Sequence, residues 1–438
     1  MLSKTKAFRA SILHFTDDPD KTGEKAYRYF EDGILTVADG KVTGLDDAAK
    51  ILPGLKDRAE IIDYRGKLII PGLIDTHLHY PQTDIIASFG EQLLQWLNKY
   101  TFPAEGKFGD KGHAREVAGF FFDELLSNGT TTAMIFSTVH KTSVEALFET
   151  ALERNIRVIS GKVMMDRNCP EFLQDTPEKG YTESNELIRD WQGKGRIDYA
   201  ITPRFAPTST PAQMEAVRRL AAEHPDLHMQ THVAENRAEV SWVAELYPEA
   251  RSYLDVYERY GMLRPKSVFA HCIYLDETDM RRMGETGAVA AHCPTSNLFL
   301  GSGLMECVTA EKHGIRVGIG TDVGGGSSFS MFRTLDETYK VSQMAGLPLT
   351  PLKLFYLATL GGARSLYLDD RIGNFETGKE ADFAVLDLEA TPLLKRRLTR
   401  TETLEEKLFV LLILADDRAV RATYLMGEKA HDREIPRH

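Results

Sequence analysis

Residues 71–82 read PGLIDTHLHYPQ, an apolar run that enters through Pro71-Gly72, ends on His77 and His79 and leaves through Pro81. Side chains two apart on a strand face the same way, so the two imidazoles project together and can grip one cation. Alone, a His-x-His pair is a weak signal, because satisfied core histidines produce it too. Working outward, the same kind of run recurs at 73–79, 131–136, 157–164, 198–205, 227–232, 267–271, 288–292 and 316–322. The gaps carry helix signals: HAREVAGFFFDELLSNG closes on Gly129, and Thr210-Pro211 and Thr350-Pro351 each pair a cap with a first-turn proline. Strand alternating with helix predicts a parallel sheet with crossover helices, and eight units in about 290 residues make a closed (β/α)8 barrel the leading α/β architecture. An open doubly wound sheet is the alternative, although the Gly-x-Gly-x-x-Gly turn that would favour it is missing after the first run.

In a barrel the C-terminal strand ends converge on one mouth. Here the fifth run leads through His232 to Glu235, the sixth ends Ala270-His271-Cys272, and the eighth ends Gly320-Thr321-Asp322. Two histidines from one strand, one from a later strand and a terminal aspartate supply ligands suited to zinc or iron, with a position left for water. A divalent cation brings the pKa of such water toward about 7. Glu235 is the candidate proton shuttle, against the blander reading that it caps the helix beginning ENRAEVSWVAEL. Trp96, Tyr100 and Phe102 crowd the loop after the first run. They form a lid, a subunit interface or an anchor for the loop itself, with Trp96 and Phe102 the lid candidates. The stretch VGGGSS (323–328) lacks the Gly-Lys-Ser/Thr of a phosphate cradle and reads as a flexible edge of the site. His292-Cys293-Pro294 does not match the cysteine-ligated zinc signature of cytidine-type deaminases.

Across the 438 residues, 64 acidic side chains exceed 53 basic ones, and the net charge of −11 repels phosphate backbones and anionic membranes. Neither nucleic acid nor membrane is therefore expected as a partner. No apolar run approaches the roughly 20 residues of a membrane span, and MLSKTKAFRASILHF lacks a signal-peptide core, so the expected location is cytoplasmic. The four cysteines show no Cys-x-x-Cys spacing and read as reduced thiols.

Both ends of the chain are β-like. AFRASILHF, GILTVADGKVTGL and AEIIDYRGKLIIPG precede the barrel runs, and IGNFETGKEADFAVLDL and ATYLMGEKAH follow them. They predict a small discontinuous β domain from residues 1–70 plus 370–438, flanking a catalytic barrel over 71–369.

Taken together these motifs resemble the amidohydrolase superfamily and, within it, the guanine deaminase family. The resemblance is carried in order by PGLIDTHLHYPQ (71–82), LLQWLNKYTFPAE (93–105), GKVMMDRN (161–168), TPRFAP (202–207), THVAEN (231–236), FAHCIYLDE (269–277), HCPTSNLFLGSG (292–303) and GIGTDVGGGSSFSM (318–331). His-x-His is widely shared, whereas TPRFAP and QWLNKYTFPAE are more particular to guanine deaminases. The resemblance implies a distorted TIM barrel with a small split β-sandwich, and one zinc held by His77, His79, His232 and Asp322. A bridging carboxylated lysine is not expected, because DYAITPRF contains no lysine; Lys162 on the third run reads as structural. The implied reaction is hydrolysis of guanine to xanthine and ammonia, a step of purine catabolism or salvage. Asp322 or Glu235 would take a proton from the attacking water, His271 would orient that water, and Glu235 would protonate the ring. Gln82, which both donates and accepts, suits a purine edge, while Arg204 would bind the O6 carbonyl with Phe205 against the ring. His232, Glu235 and His271 would also touch substrate, and a homodimer is implied. Other aminated heterocycles, namely an 8-oxopurine, a pterin, an s-triazine or an adenosine-like nucleoside, would leave the catalytic residues unchanged. A silent, metal-stabilised scaffold is the rival from another class.

Overall fold

The terminal and central β runs enter different sheets in the computed structural model, which describes residues 5–55 and 59–434. Residues 1–4, 56–58 and 435–438, all within the expected small domain, lie outside the described residues. The N-terminal side supplies β1 (Thr5–Phe15), β2 (Tyr27–Ala38), β3 (Lys41–Asp47) and β4 (Ala59–Pro71). The central runs become β5 (Leu73–His79), β6 (Thr130–Phe136), β7 (Arg157–Gly161), β8 (Val163–Met164), β9 (Ile197–Pro203), β10 (His228–Val233), β11 (Ser267–His271), β12 (Val289–His292) and β13 (Arg316–Ile319). After them come β14 (Phe383–Asp387), β15 (Val420–Leu425) and β16 (Glu428–Asp432).

The barrel runs β5-β6-β7-β9-β10-β11-β12-β13 with every neighbouring pair parallel, and the short β8 adds to β9. The third apolar run is thus broken in two. At the break, the Lys162 backbone N–H donates to the Tyr199 hydroxyl at 3.1 Å instead of to a ladder carbonyl. Gly161 tolerates the close approach that results, since a Cβ there would stand 1.8 Å from the Ala200 carbonyl oxygen. Lys162 itself pairs with buried Asp175, in keeping with a structural role. Closure does not use β13 alone. Past its end, Asp322 N–H donates to the His77 carbonyl at 2.9 Å and His79 N–H to the Val323 carbonyl at 2.7 Å. The same bonds that seal the barrel set Asp322 beside the His-x-His pair. Below that level Ile74, Met134, Ile159, Ala200, Val268 and Ala291 fill the barrel with apolar side chains.

The second sheet runs β16-β15-β14-β4-β1-β2-β3, so strands from both ends of the chain share it; β1 and β4 are parallel and the other neighbours antiparallel. Asp39 and Gly40, with φ of 50° and 76°, make the tight turn between β2 and β3. On one face the rings of Phe8, Phe383 and Tyr424 meet with centroids 4.5–5.0 Å apart. At the barrel rim opposite the mouth, Glu380 joins the two sheets, accepting from Arg157 Nη2 at 2.6 Å and Arg196 Nη2 at 2.8 Å. Between β14 and β15 the helices Pro392–Leu398 and Leu404–Leu414 intervene. The second packs on the barrel helices Met331–Met344 and Pro351–Tyr356. Among the described residues no helix is long and apolar enough to cross a membrane.

Candidate active site and metal centre

His77 and His79 leave β5 on the inner side of the barrel, where β10 adds His232, β11 adds His271 and the segment after β13 adds Asp322, all buried. Nε2 of His79 lies 3.1 Å from Nε2 of His232, and Nε2 of His77 and of His79 lie 3.3 and 3.4 Å from Asp322 Oδ1. Burial drives the pKa of His77 down and those of His79 and His232 far down, leaving neutral rings with a lone pair to give. In His232 that lone pair sits on Nε2, because Nδ1 donates to the Arg204 carbonyl at 2.7 Å. Burial works against a charge on Asp322 as well, but the His77 imidazole 3.3 Å away and the facing His271 and His232 outweigh it and hold the carboxyl at about 2. Nε2 of His77 has no hydrogen-bond partner despite full burial. That orphaned imidazole nitrogen is common to two converging donor sets, His77 with His79 and His232, and His77 with His271 and Asp322, which fit a metal ion. The backbone is bent to make them: Ala234, His271, Cys272 and Asp322 all adopt the left-handed region, with φ between 51° and 73°. The four cysteines are free thiols and none belongs to these donor sets.

Glu235 stands 3.4 Å from His271 Nε2 through Oε2 and accepts from Ser302 Oγ at 3.0 Å through Oε1. Its carboxylate does not cap the following helix. Asn236 caps Arg237–Leu246, and the carboxylate of Glu239 accepts from the backbone N–H groups of Glu235 and Asn236 at 2.9 and 3.1 Å. Burial raises the Glu235 carboxyl to about 7, with Glu239 and Asp322 adding and His271 and Ser302 opposing. Burial disfavours a charged His271, yet Glu235 and Asp322 overcome it and move its pKa upward. Nδ1 of His271 lies 2.8 Å from Asn297 Oδ1, which directs Nε2 toward both carboxylates. A carboxyl poised near neutrality beside an imidazole can take up and release protons at physiological pH.

The cavity over these groups is lined further by Gln82, Arg204 and Phe205, and by the apolar Leu93, Trp96, Leu97 and Leu300. Trp96 thus sits over the cavity, while Phe102 lies under Arg204, its ring centre 5.4 Å from the guanidinium carbon. Nδ2 of Asn236 donates to Gln92 Oε1 at 3.2 Å, tying the start of this aromatic segment to the loop that carries Glu235. The structure brings His77, His79, Gln82, Trp96, Arg204, Phe205, His232, Glu235, His271 and Asp322 together in one place, whereas Phe102, expected as a second lid residue, does not line the cavity. Four were not foreseen: Ser302, Asn297, Glu239 and Glu105, the last accepting from Arg204 Nη1 at 2.6 Å. Glu105 ends QWLNKYTFPAE, a stretch with no spacing that marks its carboxylate. Glu239 alone carried a local signal, the Asn-x-x-Glu spacing of a capping box.

The model of the amidohydrolase family matches residues 68–429. A curated relative, the guanine deaminase of Escherichia coli (strain K12), is 50% identical over 431 residues, covering 98% of each chain. Its solved structure superposes with a TM-score of 0.96, covering 98% of this chain and 100% of that one. A guanine deaminase from C. acetobutylicum, solved with guanine in its active site, is 29% identical with a TM-score of 0.88 and covers 97% of this chain and 99% of that chain.

Proposed function

Because the chain belongs to the amidohydrolase family, a metal-dependent family of hydrolases, we propose that it hydrolyses guanine to xanthine and ammonia with one zinc held by His77, His79, His232 and Asp322. The observation that carries the reading is a single cavity in which His79, His232, Asp322 and Glu235 stand beside Arg204, Gln82 and Phe205, with His77 directly behind against Asp322. Full-length similarity at 50% identity to a guanine deaminase supports it.

Zinc, when bound, supplies hydroxide near neutral pH by lowering the pKa of water to about 7. The protein must do the rest, since C2 of guanine is a poor electrophile and an amide ion a poor leaving group. Glu235 takes a proton from the attacking water and delivers it to ring N3 as the tetrahedral centre forms at C2. His271, held by Asn297, orients the water, and Asp322 shares the acceptance of its proton. The second proton leaves the new hydroxyl and returns through Glu235 to the departing amine, so that water and guanine balance to xanthine and ammonia. Arg204 donates to O6, Gln82 reads the neighbouring edge, and Phe205 lies against the ring. Trp96, Leu93 and Leu97 keep bulk water from the reacting atoms. We further read the enzyme as a cytoplasmic homodimer, each subunit divided into 1–70 plus 370–438 and 71–369.

The deciding experiment is turnover by zinc-loaded protein of guanine beside 8-oxoguanine, a pterin, an s-triazine and adenosine. Loss of guanine absorbance with one ammonia per xanthine is expected, abolished by chelation and restored by zinc. Guanine inert while another ring turns over would overturn the substrate, and recovery with iron alone would overturn the metal. Arg204→Ala is expected to lower kcat/KM for guanine by about 10–100-fold, the worth of a hydrogen bond to a charged group, with zinc content unchanged. Loss of zinc on that substitution would assign Arg204 to the scaffold.

A further inference from the structure

Glu105 is a fully buried carboxylate to which the chemistry above gives no part. It ends the short helix Phe102–Glu105, and its two oxygens are divided between the two side chains assigned to read the substrate. Oε2 accepts from Arg204 Nη1 at 2.6 Å, and Oε1 accepts from Gln82 Nε2 at 3.2 Å. The other end of the Gln82 amide is held as well, its Oε1 accepting from the Gly324 N–H at 3.3 Å. The consequences follow from donor counting. A guanidinium has five N–H donors in a rigid fork and no acceptor, so with Nη1 committed to Glu105 it still offers only donors to the cavity. A primary amide has two faces that differ by a turn of the side chain. Glu105 on one side and Gly324 on the other remove that freedom, leaving Gln82 with one free N–H and one free lone pair in known places.

We propose that Glu105 is a positioning residue that sets purine specificity: by fixing Arg204 and Gln82 in one donor arrangement, it makes the cavity accept a ring with a carbonyl at position 6 and refuse one with an amino group there. This rests on guanine being the substrate. A carbonyl satisfies the guanidinium; an amino group sets N–H against N–H and leaves buried donors unpaired, which is the costly outcome in a closed site. Glu105 also supplies the countercharge that keeps Arg204 from being a lone buried cation. Without it the guanidinium has no fixed direction and the Gln82 amide can exchange its ends.

The test measures kcat, KM and bound zinc for wild type, Glu105→Gln, Glu105→Asp, Arg204→Ala and the double variant Glu105→Gln/Arg204→Ala, with 2,6-diaminopurine as the competing ring. Glu105→Gln keeps shape but has one acceptor where two are needed, and Glu105→Asp keeps the charge but draws it back by one methylene. Both are expected to raise the guanine KM by about 10–100-fold per zinc-loaded site, the range for a lost charge-assisted contact. The ratio of the 2,6-diaminopurine inhibition constant to the guanine KM should fall by a similar factor. The double variant should lose clearly less than the two single losses combined, because the Glu105–Arg204 contact is already gone in Arg204→Ala and only the hold on Gln82 remains to be lost. A merely structural role would lower the yield of loaded enzyme and leave KM and the purine ratio where they were. Unchanged KM in Glu105→Asp, or losses that add in full in the double variant, would overturn the proposal. Should Glu105→Gln not fold, Glu105→Asp and the purine ratio decide it. If wild type leaves guanine untouched, the substrate reading itself falls, an outcome visible before any variant is made.

Discussion

Glu235→Gln is expected to lower kcat by about 10²–10⁴-fold while the protein keeps its fold and its full complement of zinc. The substitution preserves size and leaves an oxygen to accept from Ser302 Oγ, which now donates to Glu235 at 3.0 Å. What it removes is the proton site. Burial places that carboxyl near 7, where it is neither too weak a base to take a proton from water nor too weak an acid to return it to the purine. His271 cannot replace it, because its Nδ1 is engaged with Asn297 and its Nε2 already faces the two carboxylates. Glu235 supplies none of the donors assigned to zinc, so metal analysis separates the two functions of the site. A kcat within a few-fold of wild type would remove Glu235 from the proton path. Zinc loss would place it among the groups that hold the metal.

The second large effect is on stability, at the far end of the barrel. Glu380→Gln is expected to destabilise the protein by roughly 3–5 kcal/mol, since removing one partner of a buried ion-pair cluster strands the others. Arg157 and Arg196 are 3% and 7% exposed and converge on this carboxylate, with Asp382 beside Arg196. Burial alone would raise the Glu380 carboxyl, but Arg196, Arg157 and Lys41 outweigh it and hold it at about 2. A depressed carboxylate stabilises the folded state fully above its unfolded value near 4.5 and loses that contribution as pH falls toward 2. Urea unfolding midpoints of wild type and variant should therefore differ most at pH 7, keep most of that difference at pH 4 and draw together as pH falls toward 2. No gap at pH 7 would show that the cluster contributes little, and an equal gap at pH 7 and pH 2 would show that the charge on Glu380 is not its source. Turnover at room temperature should not change, because Glu380 lies at the rim opposite the catalytic mouth.

Much of this was readable because strand periodicity and barrel geometry are local rules with a global consequence. His77 and His79 share a face wherever a strand forms, and His232, His271 and Asp322 come together because the ends of parallel barrel strands meet. The eight apolar runs therefore imply one mouth. Local rules stop where tertiary contacts override the strand pattern. The eighth run was expected to continue as strand to Asp322, yet β13 stops at Ile319, and Asp322 turns into the left-handed region to bond with His77 across the closure. The third run was expected to be continuous, and the Tyr199 hydroxyl breaks it at Lys162.

The sequence by itself determined the α/β repeat, the discontinuous terminal sheet, and the histidines, aspartate and glutamate that meet at the strand ends. These follow from residue type and spacing along the chain. Only the tertiary structure decided how those groups are held. That Ser302 and Asn297 orient Glu235 and His271, that Phe102 lies under Arg204 instead of over the cavity, and that Glu105 binds both Arg204 and Gln82 are contacts between residues 23 to 102 positions apart in the chain. A polar residue in a loop has no periodicity to betray its direction. Its partner is chosen by where the closed barrel brings two loops together, and by the cost of leaving either group buried without one.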